Sequence, residues 1–228
     1  MLCLALAVAG CSLTDQTPVY RYRLTVEVDT PDGVKTGSSV IEVDTEVAGG
    51  YSIPTPGRVT NRVRGEAVTV DLGEGRVLFA LLRSEADIDW AGRVMYRLSP
   101  QYAGENALRD GYRNMLRHRP ERTVPRHFSR ADQVNKRSAY PMLVTFGDLD
   151  DPASVERVDP DDLAATFGEG VSLKRITVQV TDDPVTSGIG QRLGWLNRTK
   201  GTLLSRPRDT PIGQLPIEYQ VGKISFVR

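Results

Sequence analysis

The sequence predicts an α+β fold on a mainly antiparallel sheet, because hairpin signals fill its first third and helix signals interrupt strands afterwards. Tyr22, Leu24, Val26 and Val28 alternate with Arg21, Arg23, Thr25, Glu27 and Asp29, the period of a strand with one buried face. Thr30-Pro31-Asp32-Gly33 supplies a turn, since proline fixes φ and glycine accepts a positive one. Residues 34–43 return as the partner strand. A second hairpin runs through residues 67–72, the turn Gly73-Glu74-Gly75 and residues 76–82.

Between the hairpins, residues 49–57 with Pro54 and Pro56 read as a loop. From 84 to 118 the period lengthens. Ile88, Ala91, Met95 and Leu98 share one helical face, and Leu108, Tyr112, Met115 and Leu116 another, with Pro100 between them. Strand character resumes at 142–146. Asp159 then caps a helix, with Pro160 in the first turn, Asp161 and Asp162 at its positive end, Leu163, Ala164 and Phe167 on its apolar side and Gly168 as its stop. A strand is expected at 173–181. A further helix is expected from Asp183-Pro184, with Ile189, Leu193 and Leu196 in register, and one or two closing strands across 217–227.

The first ten residues are apolar and end in Val8-Ala9-Gly10 immediately before Cys11. This pattern resembles the lipobox of bacterial lipoproteins. The resemblance implies removal of residues 1–10 as a signal peptide, acylation of Cys11 (palmitate-type chains), and a tether over residues 11–19 ahead of a single domain, 20–228. No Lys or Arg precedes Cys11, so a start codon further upstream, supplying a charged leader, is the expectation. Ser12 follows the cysteine where aspartate would favour inner-membrane retention in proteobacterial lipoproteins. By that resemblance the protein sits at the periplasmic face of the outer membrane. Residues 20–43 and 159–186 are also similar to stretches of uncharacterised proteobacterial envelope proteins, a resemblance that adds a family without adding a function.

Composition is that of a globular domain, with 29 basic residues balancing 29 acidic ones. Cys3 and Cys11 are its two cysteines, so a mature chain from Cys11 has no free thiol for catalysis, disulfides or cysteine-based metal sites. His118 and His127 lack the HExxH spacing of zinc hydrolases, and neither a GxSxG elbow nor a GxxxxGK[ST] phosphate loop occurs. Asp148, Asp150 and Asp151, followed by Asp159, Asp161 and Asp162, do not match a calcium loop, whose sixth and twelfth positions would be Ala153 and Asp159. No catalytic residue, metal or cofactor is assigned.

The strongest asymmetry is residues 109–137, eight arginines and Lys136 against Asp110, Glu121 and Asp132. Arg113, Arg117, Arg119, Arg122, Arg126 and Arg130 are the candidates for an exposed surface that binds anionic envelope polymers or another envelope protein. The alternative is a solvated loop whose charges balance the following acidic cluster, pairing with Asp148, Asp150 or Asp151 inside the same domain. Nucleic acid is not an expected partner of an exported domain; the membrane, through the lipid, is. Two functions remain open: a non-catalytic binding or structural lipoprotein, and a periplasmic hydrolase of cell-wall or polysaccharide material working through a carboxylate pair.

Overall fold

A long hairpin organises the molecule. Strand β1 (Thr14–Gln16) and β2 (Tyr20–Thr30) lie in line along β3 (Gly33–Ala48), which they pair antiparallel from Thr14↔Ala48 to Thr30↔Gly33. Gly33, with φ +107°, closes the turn as expected. The tether read from the sequence is shorter than expected, because Thr14–Gln16 already belongs to the sheet. Strand β4 (Val59–Arg64) pairs the far end of β3. The computed structural model describes residues 14–48, 58–100, 107–205, 207, 210–211 and 215–228; the lipobox and the 49–57 loop lie outside them.

The second hairpin, β5 (Val68–Gly73) and β6 (Arg76–Ala80), founds a separate sheet. After it come α1 (Trp90–Arg97), α2 (Ala107–Arg117), the short β7 (Arg122–Thr123) and α3 (Arg130–Val134). Next are β8 (Leu143–Phe146), β9 (Val155–Val158), α4 (Ala164–Phe167), β10 (Ser172–Thr181), α5 (Ile189–Arg192) and α6 (Lys223–Phe226). The first sheet has the order β1-β3-β2-β10-β7 with β4 also on β3; the second has the order β5-β6-β8-β9. All pairings are antiparallel, and the fold is α+β, as the sequence predicts.

The two sheets pack through their apolar faces. Tyr22, Leu24, Val26 and Val28 of β2 and Ile41 and Val43 of β3 meet Val68, Val70, Leu78 and Ala80 in one core, which α1 and α2 close with Trp90, Met95, Tyr112 and Met115. The central strands of the second sheet, β6 and β8, are buried on both faces, which is why residues 77–82 form a continuous apolar run and not an alternating one. Its outer side carries Phe79, Val144 and Phe146, covered by Ile189, Leu193, Trp195, Leu196, Val221 and Phe226 of the C-terminal segment. Two of its aromatic pairs meet edge-on, Phe79 and Phe146 at 5.5 Å and Trp195 and Phe226 at 6.1 Å between centroids.

Several local expectations are corrected. Ile88 precedes α1 and is exposed, although Ala91 and Met95 are buried as read. Tyr112 and Met115 are buried and Leu116 half-buried; the side chain of Leu108 lies outside the described residues. Helix α4 starts at Ala164, because Asp159 Oδ1 instead accepts the Asp161 N–H (2.9 Å) in a turn, and Asp162 Oδ1 accepts from Ala165 N (3.1 Å). No helix starts at Asp183, whose carboxylate pairs with Arg23. The closing strands are absent from 217–227: a 3-10 turn, Ile217–Gln220, and α6 stand there, with isolated bridges Thr202↔Gly222 and Glu66↔Val227.

Candidate functional site

The basic segment does not form one exposed stripe. Arg113 stays on the outer side of α2, 4.0 Å from Asp110. Arg119 pairs with Asp182 at 2.7 Å, just beyond β10. Arg130 is exposed at the first position of α3, behind the Ser129 cap. Arg126 is half-buried and doubly bonded to Asp161, with Nε at 2.9 Å and Nη2 at 2.7 Å, and its guanidinium lies 5.5 Å from the Tyr140 ring centre. These partners differ from the Asp148–Asp151 cluster expected to balance the segment. That cluster serves its own backbone: Asp148 Oδ1 accepts from Asp150 N and Asp151 Oδ1 from Ala153 N, each at 2.9 Å.

Arg117 and Arg122 behave differently. They line a cleft of about 500 Å³ between the C-terminal ends of α1 and α2, with Leu98, Ser99, Asn114, Met115 and His118. Arg122 sits on β7 at the sheet edge, opposite Val178, and turns toward the core side. Its Nη1 donates to Ser99 Oγ at 3.0 Å, and that hydroxyl donates in turn to Met95 O. Its Nε and Nη2 are buried without a hydrogen-bond partner. Burial pulls the Arg122 pKa below that of a free guanidinium, with the nearby Tyr20 phenol opposing the shift. Tyr20 Oη is also buried and unpartnered, in a cluster where its ring lies 6.4 Å from both Tyr22 and Tyr112. Burial pushes the Tyr20 phenol well up.

Arg117 and His118 are exposed, and among the described residues neither side chain has a hydrogen-bond or ion-pair partner. The second histidine is engaged: His127 Nδ1 lies 2.8 Å from Arg137 O. Sequence spacing shows that Arg117 and Arg122 are near in the chain. It does not show that one turns inward, because that depends on the pairing of β7 with β10 some 55 residues later.

A second cleft, about 420 Å³, holds Glu85, Asp159 and Asp161 among Arg126, Lys136 and Arg157. Glu85 is paired with Arg157 and Asp161 with Arg126, and that hydrogen bond holds Asp161 below the usual carboxylate range. Among the described residues, no group of three His, Cys, Asp or Glu side chains is placed to hold a metal ion. Comparison with known protein families, with curated proteins and with solved structures finds no match for this chain.

Proposed function

We propose that the chain is an envelope-anchored lipoprotein with a non-catalytic binding or structural role, held through a lipid on Cys11 at the periplasmic face of the outer membrane. The observation that carries this reading is the closeness of the lipobox-like Val8-Ala9-Gly10-Cys11 to the first strand, which begins at Thr14. Three residue steps reach at most about 11 Å. A lipid on Cys11 would therefore hold the Thr14–Ala48 end of the long hairpin at the bilayer surface. Two or more acyl chains suffice for stable attachment. Among the described residues no helix is long and apolar enough to cross a membrane.

In the cleft that holds Glu85 and Asp161, the carboxylates favour binding over hydrolysis. A general acid needs its pKa raised toward the working pH. Asp161 is shifted the opposite way, and Glu85 beside it is neutralised by Arg157.

Metabolic labelling with palmitate tests the anchor. The wild type is expected to take up label, lack residues 1–10 and fractionate with the outer membrane, and Cys11→Ala to take up none. Equal labelling of both, or a wild-type protein that keeps Met1, overturns the reading.

A further inference from the structure

We propose that the cleft between the ends of α1 and α2 is a binding site for a phosphate-type anion, held by Arg117, His118 and Arg122. A guanidinium that stays charged inside a fold normally finds a carboxylate or several carbonyl oxygens, because an unpaired buried charge is costly. Two other arginines come closer to that rule. Buried Arg83 donates to the carbonyls of Ser84 and Gln220, and half-buried Arg126 is forked onto the Asp161 carboxylate, with its Nη1 alone left buried and unpartnered. Arg122 has one hydroxyl, Ser99 Oγ, and two buried nitrogens with nothing to bond.

Among the described residues that line the cleft there is no Asp or Glu; they offer instead the Arg117 guanidinium, the His118 ring and the Asn114 amide. Three donors of this kind on one concave wall match the oxygens of a tetrahedral anion, which takes charge-assisted bonds from forked guanidinium groups. The volume is ample for a phosphate with part of the molecule that carries it. Phosphate of this chemistry has two sources at a membrane surface, a lipid headgroup and a free phosphorylated solute. The site stands whether or not Cys11 is acylated, so palmitate labelling and anion binding fail separately.

The test uses the full chain in non-ionic detergent, titrated with inorganic phosphate against chloride at constant ionic strength. Calorimetry and thermal unfolding are the readouts. Phosphate should bind and raise the melting temperature by mass action. Arg117→Ala and Arg122→Met should each weaken binding about tenfold or more, the scale of one lost charge-assisted bond. Arg198→Ala, an exposed arginine in the C-terminal layer, should bind as the wild type does.

Arg122→Met also removes an unpaired buried charge, so its melting temperature without phosphate should equal or exceed that of the wild type. Arg117→Ala keeps the test decisive if Arg122→Met fails to fold. Short-chain phosphatidic acid, compared with phosphatidylcholine, separates the sources: selective binding of phosphatidic acid supports a headgroup, and binding of inorganic phosphate alone supports a free solute. Absence of binding by both probes overturns the proposal. So does phosphate binding that survives both substitutions, which would leave Arg122 as an inward charge that merely blocks pairing at the sheet edge.

Discussion

The Glu66 carboxylate reaches the start of α5, where its Oε2 accepts the backbone N–H groups of Gly188 at 2.9 Å and Ile189 at 3.0 Å. Glu66 lies in the short link between β4 and β5, so one side chain joins the two sheets to the C-terminal layer. Its own carbonyl accepts the Ser39 hydroxyl at 2.7 Å, and it bridges Val227. Without it, one buried donor (Ile189) and one part-buried donor (Gly188) at the entry to α5 lose their partner. Glu66→Ala should therefore cost about 1.5–3 kcal/mol, the range for hydrogen bonds to a charged group. Urea denaturation followed by Trp195 fluorescence, which reports on that layer, checks it. An unchanged midpoint would show that the C-terminal layer docks without this contact.

Gly37 sets the approach of the two sheets. It lies opposite Val26, and a Cβ built there would stand 2.1 Å from the Thr69 carbonyl oxygen and 2.8 Å from its carbon. Those are backbone atoms of β5, so no side chain can swing aside; the sheets must part. Gly37→Ala should destabilise by about 3 kcal/mol, the upper part of the range for overpacking a core. Equilibrium denaturation of the variant measures it, and a loss below about 0.5 kcal/mol would mean the sheets are not in contact at this position.

The hairpins were legible because their signals are local. The alternation from Tyr20 to Asp29 and the turn residues at Gly33 and Gly73 act within a few positions. The C-terminal layer was not. Ile189, Leu193 and Leu196 are buried as their spacing suggests, yet Gly188 with φ +142° bars an earlier start and Leu193, at φ −110° and ψ 75°, ends the helix after one turn. Val221 and Phe226 read as strand residues because they are apolar, but their burial comes from the outer face of the second sheet. For the basic segment, charge was legible and pairing was not. Arg119 and Arg126 take acids 63 and 35 residues away, and only the fold brings them together. The cleft residues Arg117 and Arg122 were among the candidates, but nothing local separated them from their four neighbours.

The Arg126–Asp161 pair gives a prediction with a pH signature. Asp161 is largely exposed and Arg126 half-buried, so the forked bond should be worth about 1 kcal/mol despite its geometry, since solvent screens such pairs. Asp161→Asn should lower stability by about that amount at pH 7. The hydrogen bond from Arg126 holds the Asp161 carboxyl below its ordinary range, so the folded state keeps the carboxylate at a pH where the unfolded chain has begun to take up a proton. The contribution is complete above the unfolded value, about pH 4 for aspartate, and is lost as the pH falls through the lower folded value. The stability gap between wild type and Asp161→Asn should therefore be level from pH 7 to about pH 5 and close below about pH 4. Urea denaturation of both proteins over that range measures the gap. A gap that persists at about pH 2, with the Asp161 carboxyl protonated, would assign the loss to side-chain packing and not to the ion pair.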